Sequence, residues 1–434
     1  MVDSETTQQA SSAELAALLR DRVRWTWSPS THGNTRQAKD SQVEGSVSQF
    51  VSVAMQNPIG FPSLTDAVVQ GDRVVLAVDP TLPGLLDVVE SVVECFGGCD
   101  LESIEIVLAA EASDDLMMDL ASRISGNAKV IRHDTSHRES LMYLMADEAA
   151  NPVYLNRQIV DADFVLPIRT QRHVGDPTGR ADALSSSSDE DPTGVFPTFA
   201  DSATRLRLLE RASSSTEDRA AFHRDLFMTL GVQAVMEVEW NERGQLGRVI
   251  CGTPDELRKH ASDSPPTPRP ESPVSVAIAC LDGDGSQQTW ANLTRAVWAA
   301  CHAVDFETLV VWTTLSETPS PALMRGMLSV PADVDEAEIN ESEAPEDAMP
   351  DGDVNGDGFP DWSDARQHGL VLRQLLRSHR ILLRCSLSDE TIEDLGFGVV
   401  ASMVELDRLI ESGSSCGILP AAQYMGPHLM EVQS

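Results

Sequence analysis

Arg73–Val78 is an unbroken run of mostly β-branched apolar residues, the pattern of a strand buried on both faces. The segments after it leave few possible folds. A helical stripe over Leu85–Phe96 places Leu85, Leu86, Val89, Val92, Val93 and Phe96 on one side. A second apolar run, Ile104–Ala109, leads to a helix over Asp114–Ile124 and a third run over Ala128–Arg132. Strand, helix, strand, helix, strand is the sequence signature of a parallel sheet covered on both faces. Further strands are expected at Ser140–Leu144, Val153–Leu155 and Phe164–Ile168. Helices at Ala203–Glu210 and Asp218–Leu230 then precede strands at Val232–Trp240 and Gly247–Cys251.

Five prolines fall within Ser262–Pro273, which makes a stiff, extended linker. A second α/β series starts beyond it: strand Val274–Leu281, helix Ser286–Val304, strand Leu309–Thr313 and helix Ala322–Leu328. It resumes with helix Trp362–Ser378, strand Arg380–Ser386, helix Met403–Glu411 and strand Gly417–Leu419. The fold expected is two α/β domains with mainly parallel sheets and a cleft between them. Their bounds are a polar N-terminal arm over 1–50 with one short helix at Ser12–Arg24, a first domain over 51–261, the linker over 262–273, and a second domain over 274–430 with an acidic insertion at 331–361.

Charge narrows the function classes. The 434 residues hold 68 acidic against 32 basic side chains, a formal net charge of −36. Such a surface repels phosphate backbones and anionic membranes, so neither nucleic acid nor membrane is an expected partner. No apolar run reaches the roughly 18–20 residues needed to cross a bilayer, and the N-terminus lacks the basic start of a secretory signal. Seven cysteines with no CxxC pair suggest neither a zinc ribbon nor a disulfide framework, so a reducing cytoplasm is expected. The only lysines are Lys39, Lys129 and Lys259, so amine chemistry has three places to happen.

Several segments could carry chemistry. Asp353, Asn355, Asp357, Asp361 and Asp364 occupy positions 1, 3, 5, 9 and 12 of a run with Gly358 at position 6, the spacing of a Ca²⁺ loop. They lie in Asp333–Asp364, where 13 acidic residues meet no basic one, and position 12 is the shorter Asp rather than Glu. Asp282-Gly283-Asp284-Gly285-Ser286, between a strand and a helix, is a structural turn or a phosphate seat; Ser286 is a natural N-cap, and the two aspartates argue against phosphate. His133 and His137 stand four apart on a loop. His173 follows the strand Phe164–Ile168, at the end of a parallel sheet where ligands are held. Asp79-Pro80-Thr81-Leu82-Pro83 follows the first strand; its carboxylate and hydroxyl could meet a ligand and could equally cap the helix Leu85–Phe96.

Taken together, Asp79-Pro80-Thr81-Leu82-Pro83, His133-Asp134, Asn151–Arg157 leading into Asp161-Ala162-Asp163, and Arg172-His173 resemble the nickel-dependent lactate racemase family. The resemblance runs from about Gly71 to Arg207, and more faintly through Val274–Leu328 and Arg380–Tyr424. It implies a racemase or epimerase acting on a 2-hydroxy acid, with a nickel-pincer nucleotide tethered to a lysine and hydride leaving and returning at the α-carbon. It assigns His173 as general acid/base and Asp79 and Thr81 as contacts to cofactor or substrate. The chain departs from the family at three places. Leu82 stands where members carry arginine in an Asp-x-Thr-Arg-Pro turn. Ala109–Ser113 has no histidine where members carry Gly-Thr-His-Arg. No lysine lies between Lys129 and Lys259, where members carry Gly-Gly-Arg-Lys. A guanidinium cannot replace an amine as covalent tether. The cofactor therefore binds without a covalent link, or the scaffold is a non-catalytic descendant that binds a small ligand or protein partner in its cleft.

Overall fold

The computed structural model describes residues 11–19, 22–26, 46–124, 126–147, 149–171, 193–210, 222, 225–241, 245–262, 272–328, 363–412 and 415–425. The strands in chain order are β1 (Val23–Thr26), β2 (Arg73–Val78), β3 (Ser103–Leu108), β4 (Ala128–Arg132), β5 (Leu141–Ala146), β6 (Pro152–Asn156), β7 (Phe164–Thr170), β8 (Val235–Trp240), β9 (Leu246–Gly252), β10 (Val274–Cys280), β11 (Phe306–Trp312), β12 (Ile381–Arg384), β13 (Gly398–Val399) and β14 (Cys416–Leu419). Two six-stranded sheets form, ordered β4-β3-β2-β7-β8-β9 and β1-β14-β10-β11-β12-β13, with β5 and β6 as a separate hairpin. Every pairing in the second sheet is parallel. In the first, only β8–β9 is antiparallel. The expected fold of two α/β units with mainly parallel sheets is the one observed.

Each sheet buries both faces, and the alternation along single strands shows how. Val74, Leu76 and Val78 point to one side, against the helices Val47–Gln56 and Leu85–Phe96. Val75 and Ala77 point to the other, against Ile159, Val195 and Phe199. In the second sheet Ala277 and Ala279 pack on the helix Trp290–Ala303, while Val276, Ile278 and Cys280 pack on Leu406, Ile410, Leu15 and Leu19. Each fully buried aliphatic chain contributes about 1.5–3 kcal/mol, which makes these layers the main source of stability. Among the described residues no helix is long and apolar enough to cross a membrane.

Local differences from the sequence expectations have physical causes. The N-terminal helix spans only Ser12–Leu18, closed at its start by a capping box between Ser11 and Glu14. The chain then extends as β1 and pairs in parallel with β14 at the edge of the second sheet. The helix expected from Ser286 begins instead at Trp290, where the Thr289 side chain accepts from the Asn292 amide. Asp284 accepts from the Ser286 amide and hydroxyl, folding 285–287 into a single 3₁₀ turn. The helix Leu85–Phe96 starts at Gly84, whose φ of 67° suits glycine, with no side-chain cap. Asp79 and Thr81 therefore do not cap it.

Candidate functional site at the interdomain face

The chain ends β2, β3 and β7 at one rim of the first sheet, and the residues just beyond them meet the second domain. Asp79 is almost fully buried there. Its Oδ1 accepts from the Thr81 amide at 2.9 Å and the Thr81 hydroxyl at 2.6 Å, forming a closed Asx turn. Its Oδ2 accepts from the Thr170 amide at 3.4 Å, which ties β2 to the end of β7. Thr170 is itself buried, and its Oγ1 has no hydrogen-bond partner among the described residues. The carbonyl of Leu82 accepts from Gln287 Nε2 of the second domain at 3.2 Å. Leu82 itself is buried in the core of the first domain.

Glu111, just past β3, faces Arg295 and His368 of the second domain. Both carboxylate oxygens accept from Arg295 Nη2, at 3.1 and 3.2 Å. His368 Nε2 lies 3.9 Å from Glu111 Oε2, and the His368 Nδ1 atom is buried with no hydrogen-bond partner among the described residues. Burial pushes the Glu111 carboxyl up, and the nearby negative charge of Asp79 adds to that push. The Arg295 guanidinium and the His368 ring overcome both and hold it at about 2. Asp79, Glu111, Arg295 and His368 thus form one electrostatic cluster assembled from both domains. Trp240 and Tyr424, ring centroids 5.2 Å apart, and the Arg205–Asp364 ion pair at 3.0 Å add further cross-domain contact.

The structure separates the other sequence candidates. His133 is buried, with Nε2 3.0 Å from the Ala200 carbonyl and Nδ1 3.2 Å from Asn156 Nδ2. Burial, with the Arg205 charge, pushes its pKa down to about 3, so it is a neutral fastener for the 193–201 segment. His137 accepts from the Glu139 amide in a short 3₁₀ turn. Asp282 is buried and uses both oxygens on backbone amides, those of Ser12 at 2.9 Å and Ala421 at 2.8 Å, so its turn is structural. Asp79 and Thr81 are brought to the interdomain rim. His173 lies outside the described residues, as do Asp353, Asn355, Asp357 and Asp361. Asp364 begins the helix Asp364–Ser378, and its Oδ1 accepts from Arg205 Nη1 at 3.0 Å. Among the described residues no group of three or more His, Cys, Asp or Glu is placed to hold a metal.

Sequence reasoning missed Arg295 and His368 and noted Glu111 only in a segment lacking histidine. A signal did exist. His368 stands at i relative to Val371, Leu372 and Leu375 at i+3, i+4 and i+7, a polar residue on the buried face of an amphipathic helix. Arg295 likewise interrupts the buried series Leu293, Ala296 and Val297. A buried charge needs a partner, and the partner lay in the other domain.

The described lysines are remote from this rim. Lys129 is exposed on β4, the outermost strand, and Lys259 is exposed and paired with Glu256. Lys39 lies outside the described residues. The guanidinium groups of Arg295, Arg169 and Arg205 are each engaged by a carboxylate, of Glu111, Glu237 and Asp364 respectively. The described residues therefore do not fit a nucleotide tethered to a lysine amine.

Residues 26–170 match the family model of the lactate racemase N-terminal domain. Among solved structures the chain is similar to the lactate racemase apoprotein from Thermoanaerobacterium thermosaccharolyticum, at 13% identity and a TM-score of 0.60, covering 93% of this chain and 94% of that one. It is also similar to a protein from Thermotoga maritima, at 10% identity and a TM-score of 0.54, covering 87% of this chain and 96% of that one. At such identities the structural likeness is one of fold. No curated protein sequence matches the chain. The resemblance read from the motifs thus holds at two levels, as a lactate racemase N-terminal domain over residues 26–170 and as a lactate racemase fold along most of the chain.

Proposed function

We propose that this protein, of lactate racemase lineage, binds a small 2-hydroxy acid or a chemically related ligand at the interdomain face without the lysine-tethered nickel-pincer nucleotide of that lineage. The observation that carries this reading is the cluster of Asp79, Glu111, Arg295 and His368, built from both domains at the strand ends where parallel sheets hold ligands. Two-base racemisation needs an acid/base on each face of the substrate and, in this lineage, a group that takes up hydride. With the described lysines remote from this rim, the residues support binding rather than the lysine-tethered reaction.

A second reading is an active racemase or epimerase in which the cofactor is held without a covalent bond. There His173 is the general acid/base, and Asp79 and Thr81 contact cofactor or substrate. The order and spacing of the motifs through 79–173 favour it. Intact mass, nickel content and interconversion of D- and L-lactate, measured on protein produced together with the pincer-cofactor pathway, separate the two. Metal-free protein of unmodified mass that binds lactate and leaves its configuration unchanged supports the first reading. Bound nickel with racemisation lost in His173→Ala establishes the second and removes the first.

A further inference from the structure

The helix Asp364–Ser378 buries His368, Gly369, Val371, Leu372 and Leu375 in the second domain. Arg366, Arg373 and Arg377 stand at i, i+7 and i+11 and form a stripe along its opposite side. Arg366 and Arg373 are half-buried, and Arg377 is exposed. The helix holds one acidic residue, Asp364, and Arg205 of the first domain pairs with it. Among the described residues none of the three stripe guanidiniums meets a carboxylate, and Arg366 Nε and Arg373 Nη1 are buried with no hydrogen-bond partner. Burial, with the Arg377 charge four residues on, pushes the Arg373 guanidinium below its ordinary value. A guanidinium nitrogen taken from water and left unpaired is unfavourable, and like charges at i, i+4 add to that. Such a stripe in a chain of net charge −36 calls for an acidic partner.

We propose that the stripe of Arg366, Arg373 and Arg377 is the docking surface for the acidic stretch 333–361 of the same chain. That stretch lies outside the described residues and holds twelve acidic side chains and no basic one. It runs directly into this helix, ending two residues before the N-cap Ser363. Arg366 and Arg377 are about 16 Å apart along the helix axis. About five extended residues cover that distance, so the stretch reaches the whole stripe by turning back once. Carboxylates match the planar fork of a guanidinium and supply the acceptors that Arg366 Nε and Arg373 Nη1 lack. The covalent link gives the stretch a high effective concentration at the stripe, which favours it over a second copy or a foreign acidic peptide. This docking is independent of ligand binding at the interdomain face.

Digestion of the full chain by a glutamate-specific protease reads the docking, at the lowest salt at which circular dichroism shows the chain folded. The cleavage sites are Glu336, Glu338, Glu341, Glu343 and Glu346. Two variants approach the contact from its two sides. R366Q/R373Q/R377Q strips the stripe, and D347N/D351N/D353N/D357N neutralises the stretch while leaving the helix and the cleavage sites untouched. The expected result is cleavage at these glutamates at least fivefold faster in both variants than in wild type. If the arginine variant fails to fold, the aspartate variant alone decides. Equal rates in wild type and the aspartate variant overturn the docking. Acceleration in the arginine variant alone marks a loosened helix and also overturns it. So does wild-type protection that falls as the protein is diluted, because the stretch would then sit on a second copy.

Discussion

Replacing Arg295 with methionine removes the charge that governs Glu111 while keeping most of the apolar volume. In the wild type the Glu111 carboxyl lies at about 2 against an ordinary value of 4.5. That difference corresponds to about 3 kcal/mol of stability at neutral pH, at 1.36 kcal/mol per unit. The group's folded pKa is depressed, so its contribution is complete above the ordinary value and is lost as pH falls from about 4.5 towards 2. In Arg295→Met the carboxylate faces burial and the Asp79 charge with only His368 opposing. Its pKa then rises, and ionised Glu111 destabilises the fold at neutral pH. Breaking a buried pair from one side typically costs about 3–5 kcal/mol. Glu111 keeps 19% of its side-chain exposure, which favours the lower end. Urea denaturation of both proteins at fixed ionic strength, repeated from pH 7 to pH 3, measures the gap between them. It should be about 3 kcal/mol at pH 7 and should narrow as the solution is acidified through pH 4.5. A gap below about 1 kcal/mol at pH 7, or one that does not change with pH, refutes the electrostatic account of the cluster.

Three further outcomes are expected. His133 should remain neutral to about pH 4 in imidazole NMR titrations, since its pKa is pushed down to about 3; its stabilisation, complete above an ordinary histidine value of 6.5, should fall away with acidification, and His133→Ala should cost about 2–3 kcal/mol by denaturant melts. Gly326→Ala and Gly369→Ala each place a methyl against the facing helix backbone, at the carbonyls of Arg366 and Leu323 respectively, and each should lower stability by about 2–4 kcal/mol in thermal unfolding; a neutral alanine at either site would contradict the close crossing of these helices. Asp282→Ala strips the acceptor from the Ser12 and Ala421 amides, so limited proteolysis should cleave the N-terminal segment at least several-fold faster, with the first domain's fragments unchanged.

Strands buried on both faces were the most legible part of the molecule. Arg73–Val78 and Ala128–Arg132, and the helix Leu85–Phe96, are found within the bounds their hydrophobic pattern predicts. The pattern says less where a pairing partner decides the outcome. Val23–Thr26 carries no long apolar run and extends only because β14 offers an edge, while Ser140–Leu144 and Val153–Leu155 read as strands without any sign that they pair with each other, as β5 and β6, apart from the main sheet. Gly398–Val399, two residues long, is too short for any periodicity to register. The site obeys the same logic. Asp79 and Thr81 sit at a strand end that the sequence could locate, and the structure decided between capping and the rim. Glu111, Arg295 and His368 lie up to 257 residues apart, as 368 minus 111, and only the docking of two domains makes them neighbours.

The parallel pairing of β1 with β14 places Val23–Thr26 in the sheet that also holds residues 274–419. The first lobe is therefore topologically an insertion, entered between Thr26 and Val47 and left between Ser262 and Val274. Two tethers, not one, join the lobes. A single proteolytic nick in either tether should leave the lobes attached, and a gene fragment starting after Thr26 would expose the backbone edge of β14 to strand exchange with a neighbouring molecule.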